Sequence, residues 1–258
     1  MLYEYMKELG YNDEDIEKIK NTHGLRLYTE EGILKKVKEF NIYFTNLGYS
    51  KEDIINITSK CPSIYGHTTE NIDSKNKDIM KLGFSINETK KMIRAYPFIY
   101  NFSIDYIKLK IINIEKLGYS KKNVIHIMKF NPSILGLDIY TIKSKMIDIE
   151  DLGYSKEEIV KIISKCPTIF NHNVNGLKQK MADIVELGYD RKEIIKMTKN
   201  FPQLYCLSIE YIKQKIDDLM KLGYKYEDII KMGKSFPQLY SYSIDAIKDK
   251  INELIKLG

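Results

Sequence analysis

Apolar residues through the middle of the chain fall three and four positions apart, as in Ile159, Ile162 and Ile163 or Ile194 and Met197. That spacing puts them on one face of an α-helix. About three turns into each such run a proline follows, and it stops the helix because it lacks an N–H and clashes with the preceding turn. A short apolar pair comes next: Ile64-Tyr65, Ile99-Tyr100, Ile134-Leu135, Ile169-Phe170, Leu204-Tyr205 and Leu239-Tyr240. A second amphipathic run then has apolar residues four and three apart, for instance Ile107, Ile111, Ile114 or Ile212, Ile216, Leu219. It closes at Leu-Gly, where a glycine at the C′ position can adopt the left-handed conformation. The pattern predicts a unit of helix, proline break, short turn or 3-10 piece, second helix and glycine stop.

Polar positions set the boundaries of these elements. A capping residue opens the first helix at Ser50, Ser85, Ser120, Ser155 and Asp190, and an acid often follows three residues later (Asp53, Glu88, Glu158, Glu193), which makes a capping box. Thr68, Ser103, Asp138, Asn173, Ser208 and Ser243 occupy the equivalent cap of the second helix. The unit recurs without drift. Glycine stands at 48, 83, 118, 153, 188, 223 and 258, always 35 residues apart, and Gly10 precedes Gly48 by 38. All six prolines (Pro62, Pro97, Pro132, Pro167, Pro202, Pro237) lie 14 residues after one of these glycines.

One helix pair cannot bury its own apolar stripe, so neighbouring units must stack. The expected fold is an all-α solenoid, a single repeat domain over 1–258. Within it, 1–9 is a partial N-terminal helix and 10–47 a degenerate capping repeat, with His23-Gly24-Leu25 at the proline site and about one extra helical turn before Gly48. Regular repeats are expected at 48–82, 83–117, 118–152, 153–187, 188–222 and 223–257. The chain ends on a repeat boundary, Leu257-Gly258, and a further cap or further repeats are expected beyond it.

Composition narrows the function classes. The net charge is +6 from 41 basic and 35 acidic residues, mildly basic, and only Arg26, Arg94 and Arg191 carry guanidinium. A nucleic-acid binder of this charge must gather its cations on one surface. Cys61, Cys166 and Cys206 are odd in number and widely spaced, which argues against a disulfide framework and for a reducing compartment. No apolar run approaches the roughly 20 residues of a membrane span. The N-terminal MLYEYMKELGYNDEDIEK holds too many acids for a transit peptide and has no secretory core, so a cytoplasmic or already processed, organellar-matrix chain is expected.

Two lysine ladders run along the second helices. One is Lys108, Lys143, Lys178, Lys213 and Lys248, broken by Asp73; the other is Lys75, Lys110, Lys145, Lys180, Lys215 and Lys250, unbroken. They lie roughly 100° and −60° from the first apolar residue of the helix, so they flank the buried stripe on opposite sides. One reading makes a ladder a track for successive phosphates, which position a protein without carrying sequence information. The other lays the lysine stems over the core edge with the charge in water. Lys91, His126, Lys161, Lys196 and Lys231 on the first helix, with Arg94, Lys129, Lys199 and Lys234 three residues on, read as a solvated face, and Arg94 is the one guanidinium placed for base readout. Cys61, Tyr96, Asn131, Cys166, Phe201 and Phe236 precede the prolines, either as a one-repeat-one-base code or as turn packing. Tyr100, Tyr205 and Tyr240 read as base-stacking or as inter-repeat packing residues. Cys61 with His67, and Cys166 with His172, recur at one offset, but each pair alone supplies too few ligands for a closed zinc site. Neither a metal nor another cofactor is expected, and no catalytic constellation is found.

The stretches LGYSKEEIVKIISKCPTIF and FPQLYCLSIEYIKQKIDDLMKLG resemble the mitochondrial transcription termination factor (mTERF) family. The resemblance rests on the Leu-Gly-aromatic start, the Pro-x-apolar-apolar break, the serine at the second cap and the apolar-Lys-x-Lys-apolar run, and it covers about residues 10–258. It implies a solenoid of two helices and a 3-10 turn per repeat, and a basic concave groove for double-stranded DNA or structured RNA. Roles in transcription termination, transcription control and ribosome assembly are implied with it. The Ser155-Lys-Glu-Glu-Ile-Val opening is also similar to TAL-effector repeats, a likeness of architecture only. The reading is a monomeric nucleic-acid binder, with double-stranded DNA favoured, RNA the alternative ligand, and a protein-interaction scaffold as its rival.

Overall fold

The computed structural model describes residues 1–257, and side chains at 1–250, 252 and 253. The described residues form an all-α repeat solenoid without strands, divided into two compact units, Met1–Leu137 and Asp138–Gly258. The division falls inside repeat 118–152, between its turn and its second helix. Gly258, the last of the predicted glycine stops, lies outside the described residues.

The first unit holds α1 (Leu2–Glu8), α2 (Asp13–Lys20), α3 (Glu30–Asn46), α4 (Lys51–Lys60), α5 (Thr69–Lys81), α6 (Ile86–Ala95), α7 (Ile104–Glu115) and α8 (Lys121–Phe130). Its 3-10 turns are Pro62–Gly66, Pro97–Asn101 and Pro132–Gly136. The second unit holds α9 (Ile139–Glu150), α10 (Lys156–Lys165), α11 (Val174–Glu186), α12 (Arg191–Asn200), α13 (Ile209–Lys221), α14 (Tyr226–Ser235) and α15 (Ile244–Leu257), with turns Pro167–Asn171, Pro202–Cys206 and Pro237–Ser241. The degenerate repeat contributes α3, 17 residues long.

Local chemistry explains these limits. Ser50 accepts the Asp53 N–H at 3.1 Å while the Asp53 carboxylate accepts the Ser50 N–H at 3.1 Å. Ser85 with Glu88, Ser155 with Glu158 and Asp190 with Glu193 close the same box, whereas α14 begins at Lys225 without a side-chain cap. All six predicted caps of the second helices accept a backbone N–H three residues on. Each proline takes the first position of its turn, where its missing N–H costs nothing. The residue before it is pushed to φ between −129° and −144° with ψ between 69° and 77°.

Within each unit like stacks on like. In the first, α4, α6 and α8 follow one another, as do α3, α5 and α7; in the second, α10, α12 and α14 and α9, α11, α13 and α15 repeat the arrangement. The stacked elements bury their apolar stripes: Ile57, Met92, Ile64, Ile99, Ile72 and Ile107 in the first unit, and Ile162, Met197, Ile169, Leu204, Leu177 and Ile212 in the second. Burying each such side chain contributes about 1.5–3 kcal/mol. Hydroxyls are satisfied inside these interfaces. Tyr154 Oη lies 2.5 Å from Thr198 Oγ1 and 2.8 Å from Tyr205 Oη, and Tyr11 meets Thr58 and Tyr65 in the same way. Tyr189 bonds Tyr240, and the helix position facing that pair is Gly233, where a Cβ would collide with both hydroxyls.

The glycine stop at Gly48 (φ 77°) closes a Schellman motif, with the Tyr49 N–H donating to the Phe44 carbonyl at 3.1 Å and the Gly48 N–H to Thr45 at 2.8 Å. Gly83 has φ 117° and open space around a hypothetical Cβ, so only backbone strain resists substitution there. Gly83→Ala is expected to lower unfolding free energy by about 1–2 kcal/mol. Gly66→Ala, in open space without a positive φ, leaves stability unchanged or raises it by up to about 1 kcal/mol. Denaturant unfolding of both variants checks the contrast.

Candidate nucleic-acid interface

The second helices carry both ladders, and the structure separates them. In the unbroken one, the ammonium groups of Lys75, Lys110, Lys145 and Lys180 reach carbonyls at the end of the 3-10 turn of the next repeat. Lys145 Nζ donates to the His172 carbonyl at 2.9 Å and Lys180 Nζ to the Leu207 carbonyl at 2.6 Å. Lys75 donates to the Tyr100 carbonyl at 2.7 Å and to that of Phe102, and Lys110 to that of Leu137. Lys36 on α3 makes the same reach to His67 at 3.4 Å, a member the sequence pattern did not reveal because the degenerate repeat is out of register. These carbonyls stand at the end of a helical turn, where no intrahelical donor remains. A buried carbonyl without a donor is costly, and the ammonium both satisfies it and meets the negative end of the turn's dipole. Lys110 and Lys215 are only 6% and 5% exposed, with Nζ 5.1 Å above the Tyr106 ring and 5.4 Å above the Tyr211 ring. Burial pushes the Lys75 pKa down. Four of the six lysines of the unbroken ladder, expected as a ligand track, are thus backbone ties between successive repeats, while Lys215 is buried against the Tyr211 ring and Lys250 is exposed.

The interrupted ladder faces water. Lys108, Lys143, Lys178, Lys213 and Lys248 are all exposed. Lys108 pairs with Asp105 at 3.3 Å and Lys248 with Asp245 at 3.9 Å, both within one helix turn. Lys143, Lys178 and Lys213 make no ion pair among the described residues. Their charge is available to a ligand.

Arg94 is not. Its guanidinium pairs with Asp53 at 2.7 Å and lies 5.0 Å over the Tyr49 ring. Lys129 with Glu88 (2.5 Å), Lys234 with Glu193 (2.7 Å) and Lys199 with Glu158 repeat the arrangement. Of the residues read as a solvated face, Lys91, His126, Lys161, Lys196 and Lys231 are exposed, whereas these four bridge to the capping-box acid of the preceding first helix, because stacked first helices bring those positions together. Such half-exposed pairs contribute about 0.2–1 kcal/mol each. The hydrogen bond from Lys129, aided by the Ser85 backbone N–H, lowers the Glu88 pKa to about 2.

The other candidates are absorbed by packing. Tyr100, Tyr205 and Tyr240 are buried, with the Tyr100 hydroxyl donating to Asn76 at 2.9 Å. Of the pre-proline residues, Cys61, Asn131 and Cys166 are buried, and the exposed Phe236 stacks on Tyr242 with centroids 5.9 Å apart. Among the described residues no three His, Cys, Asp or Glu side chains converge on a metal position, and no helix is long and apolar enough to cross a membrane. The mTERF family model matches residues 5–257. The chain belongs to the mTERF family. As a member it is a nucleic-acid-binding helical-repeat protein. No curated protein sequence matches the chain. On this mTERF scaffold the second helices carry two lysine rows of opposite duty, one turned into the frame and one turned out.

Lys110→Met keeps the stem but leaves the Leu137 carbonyl without its donor, and is expected to lower stability by about 1–3 kcal/mol. Lys143→Gln should stay within about 0.5 kcal/mol of the parent; chemical denaturation of the two proteins measures the difference. Because the folded pKa of Glu88 lies below its ordinary 4.5, its contribution is complete above that value and is lost as pH falls toward about 2. Melting temperatures taken between about pH 5 and pH 3 should therefore drop less steeply for Glu88→Gln than for the parent.

Proposed function

We propose that the chain binds double-stranded DNA mainly through phosphate contacts and acts in transcription regulation or termination. The reading places Lys108 in the first unit, and Lys143, Lys178 and Lys213 in the second, at the ligand. One observation carries it: exposed, unpaired lysines recur at a single register position of successive second helices in the second unit. A row of flexible ammonium groups at a fixed repeat suits a charged, periodic backbone and is poorly suited to reading base edges, for which planar or forked donors are preferred. Arg94 is held by Asp53 and Tyr49, which further supports sequence-tolerant binding. The capping-box carboxylates are engaged by backbone N–H and ammonium groups, which supports a binding role and no catalytic one. Leu109 and Ile112, 54% and 46% exposed on the same helix as Lys108, favour protein contact as a second reading for the first unit.

Fluorescent duplex titrated at several salt concentrations tests the proposal. Affinity should fall with salt, and the triple variant Lys143→Gln, Lys178→Gln, Lys213→Gln should reduce the log–log salt slope by about 2–3. Salt-independent binding, or an unchanged slope in the triple variant, overturns it. A structured RNA of equal length that outcompetes the duplex would reassign the ligand. Binding of a protein partner that survives nuclease treatment, with no duplex affinity at low salt, would favour the second reading.

A further inference from the structure

Cys166 precedes the turn Pro167–Asn171, and Cys206 ends the turn Pro202–Cys206. These turns stack on one another in the second unit, which brings the two sulfur atoms to 3.3 Å although the residues are 40 positions apart. Thr168 Oγ1 lies 3.3 Å from Cys166 Sγ and 3.5 Å from Cys206 Sγ. Cys166 is buried and Cys206 exposed. We propose that Cys166 and Cys206 are a thiol–disulfide exchange site that closes to an intramolecular disulfide on reaction with a low-molecular-weight disulfide of the glutathione class.

The two thiols divide the chemistry by position. Cys206 is reachable from solvent and attacks one sulfur of the small disulfide, forming a mixed disulfide and expelling one small thiolate. Cys166 Sγ then attacks Cys206 Sγ; the protein S–S bond forms, the mixed bond breaks, and the second small thiolate leaves. The protein loses two electrons and two protons, and both pass to the small disulfide, which departs as two thiols. Closure needs the sulfurs to approach by about 1.3 Å from their contact distance, within reach of side-chain rotation. The surroundings favour this order. Hydrogen bonding from Cys166, then Thr168 and His172, lowers the pKa of Cys206, whereas the proton shared with Cys206, then burial, raises that of Cys166. The attacking thiol is thereby the more readily ionised and the better exposed.

The first unit supplies an internal comparison. There the equivalent place holds Cys61, Ser63 and Asn101, with Cys61 Sγ 3.3 Å from Ser63 Oγ and Ser63 donating to Asn101 Oδ1 at 3.1 Å. The turn geometry is the same and the second thiol is absent, so Cys61 has nothing to close with.

The chain is incubated with oxidised glutathione, quenched with acid, denatured and alkylated, and its thiols are counted by intact-mass spectrometry. Alkylatable thiols should fall from three to one, with a mass loss of two hydrogens and a cross-linked Cys166–Cys206 peptide on digestion. Cys61→Ser should still close the bond. Cys206→Ser, a change at an exposed position that leaves the core intact, should abolish it, and Cys166→Ser should arrest Cys206 as a glutathione adduct. Retention of all three thiols, a stable glutathione adduct on the unsubstituted chain, or a disulfide joining two chains would each overturn the assignment.

Discussion

A five-residue 3-10 turn ends on carbonyls that no N–H of its own can reach, and the stacking of this molecule depends on how those carbonyls are satisfied. Proline fixes the problem in place, since it ends the first helix and forces the turn at the same point of every repeat. The answer comes from outside the turn. A lysine of the preceding repeat's second helix lays its stem along the core edge and sets its ammonium against the turn's end, as Lys145 does at His172 and Lys180 at Leu207. Because the tie joins neighbours, the hydrogen-bonding need of one repeat sets the position of the next. The apolar stripes supply most of the stacking energy, and the ties determine its register.

A second set of contacts braces the opposite layer. Capping-box acids begin α4, α6, α10 and α12, and Arg94, Lys129, Lys199 and Lys234 reach back to them from the first helix that follows. Each acid therefore serves twice, closing its own helix terminus and anchoring the neighbour. The outward lysines take no part in either set. The frame and the outward-facing charge thus draw on different residues, and that charge can vary without loosening the frame.

The fold was almost wholly legible in the sequence, because each boundary has its own local chemistry: a cap, a box acid, a proline, a left-handed glycine. The candidate interface was legible only as far as which helix carries lysine. Both ladders flank the apolar stripe, and nothing within one helix distinguishes a stem that ends in solvent from one that ends at a carbonyl 27 residues further along the chain. The useful signal was continuity: the row that tolerates Asp73 is the outer one, while Lys75, Lys110, Lys145 and Lys180 of the unbroken row meet a requirement recurring at successive turns. Arg94, Lys129, Lys199 and Lys234 were misread for the same reason, since their acids lie one repeat away. Cys206 was likewise invisible as a partner for Cys166, because only turn-on-turn stacking brings them together.

The lysine ties have a mechanical consequence. Each links one repeat to the next, and within a unit they lie in series along the stack. A pull along that direction loads every interface with the same tension, and the weakest interface yields first. The remaining interfaces keep their own cores and ties, so extension proceeds in steps of one repeat and reverses as each ammonium finds its carbonyl again. Within a unit, the stack is a series of separate interfaces, each held by its own apolar stripe and tie.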